Sequence, residues 1–296
     1  MKSRNSVMLA GASLLIWAVG VNASAAEVLA QPDTTLRNGE TALTRYVDTP
    51  EQRRKEMNAR VRLVQGCMKE FGFTGFRTRE VANDPPPLVT GRRFLYVPPA
   101  EAARFGYGID PARAKDFDKP KDTLETTVSP DERSVLSGGG ATRYQGRTVA
   151  PGGCVGAADG VLQKNAPKAD RLLPWQLMGQ AADLAARDER VKKPVAAWAA
   201  CMKGRGYDYA MPVDAWEDPR WRPARTAAGA SAEEKKAAVA DMECKDQVGY
   251  VEDLVSVQNS YEEDLIRQHA DELSAIQRNR ETLKRNADTV MNGGHP

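Results

Sequence analysis

Cys67-Met68-Lys69-Glu70-Phe71-Gly72-Phe73 returns as Cys201-Met202-Lys203-Gly204-Arg205-Gly206-Tyr207, so a C-M-K-x-x-G-[FY] pattern occurs twice. Each copy closes an apolar stretch of helical period, and each is followed by one more cysteine, Cys154 and Cys244. Four cysteines permit three connectivities. The duplication favours Cys67–Cys154 and Cys201–Cys244, closing loops of 87 and 43 residues. By loop entropy each bridge contributes about 4 to 5 kcal/mol. The expected fold is mainly α, with two disulfide-stapled helical units, long irregular insertions and a long C-terminal helix of partly coiled-coil character.

The N-terminus fits an oxidising destination. Lys2 and Arg4 precede an apolar stretch from Val7 to Val21, and Ala23-Ser24-Ala25-Ala26 offers small-residue cleavage positions. That stretch is about 15 residues, against the roughly 20 of a spanning helix. Residues 1–25 therefore read as a signal peptide, with an uncleaved anchor as the alternative. No cysteine lies near the cleavage region to take a lipid. The mature chain is expected to be exported to an extracellular or periplasm-like envelope space, with no integral membrane span after signal removal. A formal charge of +2 argues against nucleic acid as a partner. Aromatic content of 6% promises a modest core, of the kind that disulfides supplement in exported proteins.

Working outward, residues 26–48 read as a flexible mature N-terminus. Thr49-Pro50-Glu51-Gln52 signals a capped helix start. Met57, Val61, Val64, Met68 and Phe71 form its apolar face, and Gly72 is placed to end it. Residues 49–166 make the first stapled unit, with a Pro/Gly-rich insertion over 74–150. Within the insertion a short helix is expected at Pro99–Phe105 and a short strand around Arg92 to Val97, while Gly138-Gly139-Gly140 reads as a linker. A further helix is expected at about 154–165. Residues 167–265 make the second unit, with helices from about Pro174 to Arg190 and after Lys193-Pro194. An aromatic loop follows, containing Tyr207, Tyr209, Trp216 and Trp221.

A capping box at Ser231-Ala232-Glu233-Glu234 then opens a helical region running to about Met291 without proline. Continuous, it would measure roughly 90 Å. His269, Leu273, Ile276, Arg280, Leu283, Ala287 and Val290 step by four and three like a coiled-coil seam. Leu254, Gln258, Tyr261 and Leu265 are out of phase with it, so the register slips near residue 266. Residues 266–296 read as a distal helix and tail. Their removal is expected to end partner binding while both disulfides still form.

Catalytic signatures are few. With two histidines, His269 and His295, most hydrolase and metal chemistry lacks its usual groups, and no metal-ligand spacing occurs. Cys67 and Cys201 sit near helix C-termini, where the dipole disfavours a thiolate. No cofactor or metal is expected. The candidate contact residues are Tyr207, Tyr209, Trp216 and Trp221 on the aromatic loop and Leu265, Leu273, Ile276 and Leu283 on the last helix. The expected partner is a protein, or a second copy, through the C-terminal helix. The residues read as a non-catalytic binding or adaptor protein of the cell envelope. The alternatives are an envelope glycan- or peptide-acting hydrolase using paired carboxylates, and a self-associating coiled-coil protein.

The pattern W-x-x-C-M-K-x-x-G-Y-x-Y from Trp198 to Tyr209, with its later helical cysteine Cys244, resembles a family of exported actinobacterial proteins and lipoproteins of unknown function. Ala100-Glu101-Ala102-Ala103-Arg104-Phe105-Gly106-Tyr107-Gly108 and Gly152-Gly153-Cys154 share in the likeness, which spans most of residues 55–265. It implies an envelope location and helical structure, and it brings no catalytic residues. The missing lipid-attachment cysteine sets this chain apart from the lipoprotein members.

Overall fold

A computed structural model describes residues 39–110, 128–139, 142–221 and 229–296. The signal-peptide reading, residues 26–38, residues 111–127 of the insertion and residues 222–228 of the aromatic loop lie outside the described residues.

The repeated motif has one structural meaning. Helix α1 (Pro50–Glu70) starts at a Thr49/Gln52 capping box, in which each side chain accepts from the other's backbone N–H. At its end Gly72 takes φ +89°. Phe73 N donates to Met68 O at 3.1 Å and Gly72 N to Lys69 O at 3.0 Å. The second copy does the same: Gly206 has φ +88°, Tyr207 N reaches Met202 O at 3.0 Å and Gly206 N reaches Lys203 O at 3.1 Å. Both are Schellman caps, which need glycine at the left-handed position and favour an apolar contact from the residue after it. The aromatic of each motif joins the same apolar cluster as its buried methionine, Met68 or Met202. The cysteine preceding each methionine is thereby fixed one turn before a rigid helix end.

Both expected disulfides are present. Cys67–Cys154 ties α1 to the start of the helix at Gly153–Leu162, with Cα atoms 5.6 Å apart. Cys201–Cys244 ties the helix Glu189–Gly204 to Ala232–Val248 at 5.7 Å. Numbered in chain order, the other helices are α2 (Pro99–Phe105), α3 (Pro130–Ser137), α4 (Gly153–Leu162), α5 (Leu173–Arg187), α6 (Glu189–Gly204), α7 (Pro212–Trp216), α8 (Ala232–Val248), α9 (Tyr250–Gln268) and α10 (Ala270–Met291). A two-residue hairpin, β1 (Arg143–Tyr144) with β2 (Arg147–Thr148), is the only sheet among the described residues. Around the first bridge Val64, Met68, Phe76, Val135, Val149 and Ala158 form a core. A Cβ on Gly153 would stand 2.2 Å from Val135 O, so only glycine lets α3 lie this close to the bridge.

The described parts of the insertion are built into the protein. The Asn58 side chain exchanges two hydrogen bonds with the Val81 backbone, at 2.7 and 3.0 Å. Further on, Phe94, Tyr96, Val97, Ala102 and Tyr107 bury in the core around the second bridge, and α2 packs against α8. The strand expected at Arg92–Val97 is absent. Gly91–Phe94 is a 3₁₀ turn and Leu95 adopts φ +54°, a reversal that turns Phe94, Tyr96 and Val97 all inward. Helix boundaries move as well. The second of the paired helices begins at Glu189, with the Asp188 side chain capping Arg190 N, and Pro194 falls inside it.

The C-terminal region divides into three helices. Gly249, at φ +67°, ends α8, and His269 separates α9 from α10. The second break falls where the heptad register slips. Helix α10 then lies along α1. Its seam packs inward, with Leu273 and Ile276 joining Leu43, Tyr46, Leu177 and Met178, and with Ala287 and Val290 joining Ala59 and Leu162. Arg280, a misfit in a coiled-coil seam, is a clamp. It donates to Asp48 Oδ1 (2.7 Å), Arg45 O (2.8 Å), Val47 O (2.7 Å) and Gln52 Oε1 (3.0 Å). The flexibility expected of residues 26–48 therefore does not extend to 39–48. Ala42–Tyr46 is a docked 3₁₀ turn whose Ala42 and Leu43 N–H groups donate to Asn259 Oδ1 and Glu262 Oε2, both at 2.8 Å.

Helix α10 is part of the shared core and not a separable tail, so the expectation for a 266–296 deletion changes. Leu273, Ile276, Leu283 and Val290 each contribute about 2 kcal/mol of burial, about 8 kcal/mol together, within a total stability of about 5–15 kcal/mol. Deleting 266–296 is expected to abolish the cooperative thermal transition seen by circular dichroism. A truncated protein melting cooperatively within about 5 °C of the full chain would contradict this.

Candidate functional site

The candidate site is the aromatic loop between the cysteines of the second bridge, and it stands on a buried charge pair. Along α8, residues 234, 237, 238, 241 and 245 form one stripe at helical spacing, and all are buried. Three of them are ionisable, Glu234, Asp241 and Lys245, and the last two form a pair. Lys245 Nζ lies 3.0 Å from Asp241 Oδ2, and both side chains are 0% exposed. Trp198 Nε1, on α6, donates to Asp241 Oδ1 at 2.8 Å. The Lys245 ammonium also donates to Leu95 O, the carbonyl of the left-handed residue in the 91–97 turn. Its Nζ stands 5.7 Å from the Trp216 ring centre and 5.8 Å from that of Tyr250. Burial raises the Asp241 carboxyl and lowers the Lys245 ammonium, and their mutual attraction opposes both shifts. One turn of α8 thus holds α6, α7, α9 and the insertion together.

Above this pair lies the loop. Trp221 is 1% exposed and its indole N–H donates to Ala215 O at 2.8 Å. Tyr107 packs between Trp216, with ring centres 5.2 Å apart, and Trp221, at 6.3 Å. Burial, reinforced by the charge of Asp241, pushes the Tyr107 phenol well above its usual range. Arg92 covers the Trp216 ring at 5.5 Å and Arg220 covers Trp221 at 4.7 Å. Tyr207 and Tyr209 are half-buried, with parallel rings 6.4 Å apart and 9° between planes. The Tyr209 hydroxyl is fixed from two sides: it donates to Asp218 Oδ2 at 2.7 Å and accepts from Arg220 Nη2 at 2.7 Å. Beside the tyrosines, Met211 is 46% and Val213 39% exposed. The result is an apolar and aromatic ridge whose base cannot shift without breaking buried contacts.

The eight contact residues expected from sequence therefore separate. Tyr207, Tyr209 and the partly exposed Trp216 come together on this ridge. Trp221 is core. Leu265, Leu273 and Ile276 are buried within the chain's own helix packing, and Leu283 is buried except where it lines an open cavity. Asp241, Lys245, Met211 and Val213 went unread. The signal for the first two was their place, four residues apart, inside the alanine-rich stripe of α8.

Paired carboxylates do occur elsewhere. Asp48 and Glu56 both accept from Arg171, and Arg280 holds Asp48 from the other side. Burial raises Glu56 while Arg171 lowers it. This cluster is a clamp between the N-terminal turn, α1 and α10. An open cavity of about 550 Å³ lies nearby, lined by Gln163, Lys168, Asp170, Arg171, Asn279 and Leu283, and neither carboxylate lines it. Among the described residues no group of three or more His, Cys, Asp or Glu side chains is placed to hold a metal. No helix among them is long and apolar enough to cross a membrane. Compared with protein-family models, with curated proteins and with solved structures, the chain gives no match.

The Asp218–Tyr209–Arg220 contacts carry a pH signature. The hydrogen bond from Arg220 is the main cause that holds the Asp218 carboxyl down at about 2. Its stabilising effect is complete above the usual carboxylate value of ~3.9 and is lost as pH falls through about 2. Burial, then the bond to Asp218, pushes the Tyr209 phenol up to about 12. That contribution is complete below the usual ~10 and is lost as pH rises through about 12. A difference titration of tyrosinate absorbance between the native protein and Tyr209→Phe is expected to place the Tyr209 midpoint near 12, and Asp218→Asn to lower it. A native midpoint at ~10 would contradict the geometry.

Proposed function

We propose that the protein is an exported, non-catalytic binding or adaptor component of the cell envelope that takes its partner on the Tyr207–Trp216 ridge. The carrying observation is the pre-ordered state of the ridge. Two tyrosines stand parallel and half-exposed beside Met211 and Val213, on a loop pinned by Cys201–Cys244 and by the Asp218–Arg220 pair. Rigid aromatic side chains supply contact area at small entropic cost, so they dominate recognition surfaces. Two bridges with no free cysteine among the described residues fit an oxidising compartment, as the reading of residues 1–25 as a signal requires.

The test is crosslinking in the native envelope with the tagged, exported chain and with Tyr207→Ala/Tyr209→Ala. Tyr207 packs on the core around the second bridge and Tyr209 bonds Asp218 and Arg220, so the variant should melt somewhat lower and capture is compared well below its own transition. Loss of a partner captured by the wild type, with affinity lowered ten- to a hundredfold, is expected from the removal of about 1.4–2.8 kcal/mol of binding energy. Equal capture by both proteins would overturn the assignment of the ridge.

A further inference from the structure

Between Gly206 and Pro219 the chain has four acidic residues, Asp208, Asp214, Glu217 and Asp218, and no basic one. The two arginines that border the segment are already engaged. Arg205 pairs with Glu243, and Arg220 with Asp218 and, at 3.0 Å, with Glu233. Asp208, Asp214 and Glu217 are exposed and have no ion pair among the described residues. The segment that forms the ridge thus combines two half-buried tyrosines and exposed apolar side chains with three exposed carboxylates, in a chain whose formal charge is only +2.

The same loop shows what such a surface accepts. Trp216 has Arg92 at 5.5 Å and Lys245 at 5.7 Å from its ring centre, and Trp221 has Arg220 at 4.7 Å. Both tryptophans thus carry cations of the chain itself. Among the described residues Tyr207 and Tyr209 carry none. A lysine or arginine side chain placed over a tyrosine face meets the ring quadrupole, lays its methylenes on apolar neighbours and keeps its charge near carboxylates.

Resting on the binding role proposed above, we propose that the partner presents a basic, extended polypeptide segment to this ridge. One lysine or arginine of that segment lies over the Tyr207–Tyr209 pair, with its stem against Met211 and Val213. Its charge faces Asp208 and Glu217. Neighbouring basic residues meet the remaining carboxylates, so attraction at the rim steers association and is weakened by salt.

The experiment is a heteronuclear NMR titration of the full mature chain with three decapeptides of alternating arginine and alanine, serine and alanine, and glutamate and alanine. The arginine peptide is expected to shift Tyr207, Tyr209, Met211 and Val213. Its affinity should fall at least about tenfold between 50 and 500 mM salt, and similarly in Asp208→Asn/Glu217→Gln, which leaves the buried contacts intact. Tyr207→Phe/Tyr209→Phe should retain binding and Tyr207→Ala/Tyr209→Ala should lose it. Equal shifts with the serine or glutamate peptide, perturbation confined to other surfaces, or concentration-dependent self-association through the ridge in light scattering would each overturn the inference. Should the arginine peptide fail while an envelope partner still depends on Tyr207 and Tyr209, the binding role stands and the basic partner falls. Should both fail, both fall.

Discussion

Lys245 hands its ammonium to Asp241 one helical turn earlier, where neither side chain meets solvent, and much of the second half is arranged around that contact. Withdrawing two charges from water costs several kcal/mol per ion, and such a pair persists only when its remaining hydrogen-bonding capacity is filled. Here further bonds come from distant parts of the chain: the Trp198 indole on α6 donates to Asp241 and the Leu95 carbonyl in the insertion accepts from Lys245. The Trp216 and Tyr250 rings close over the ammonium from α7 and α9. Replacing either charge alone would strand the other, so these elements are bound to one geometry. The aromatic ridge inherits that geometry from below, and the disulfide and the Arg220 contacts fix it from the sides.

A second constraint closes the first half. Arg280 of α10 gathers the Asp48 carboxylate, two backbone carbonyls and Gln52, while Glu262 of α9 receives the Leu43 N–H. The N-terminal turn is thereby wedged between α9, α5 and α10, and the apolar seam of α10 is used inside the chain. The consequence for function is direct. The seam that resembles an interaction surface in sequence is packing, while Met211 and Val213 in the loop of residues 207–213 are among the exposed apolar side chains.

Local chemistry explains what could be read from sequence. The C-M-K-x-x-G-[FY] repeat encodes a complete helix end, because glycine, aromatic and methionine positions all follow from the Schellman geometry. The Thr49 cap and Pro99–Phe105 were legible for the same reason, each being decided within a few residues, and the disulfide pairing followed from the duplication of the motif. Long-range contacts explain the rest. Nothing local to Ala42–Tyr46 announces docking, since its partners Asn259 and Glu262 lie more than two hundred positions away. Arg92–Val97 has the composition of a strand, yet finds no neighbouring strand and instead curls to offer the Leu95 carbonyl to Lys245. Trp221 belongs to an aromatic-rich loop by sequence and to the core by position, because Tyr107 arrives from the insertion to cover it. Asp241 and Lys245 look like an ordinary exposed i, i+4 pair until the alanines on the same stripe are weighed with them.

The most direct measurement is the backbone order of residues 207–216 by ¹⁵N relaxation, in the native protein and in Lys245→Met. A ridge held by the buried pair should show order parameters near ~0.85 in the native chain, with a clear fall across these residues in the variant. Native values below ~0.6, or values indifferent to the loss of Lys245, would contradict a platform built on that contact.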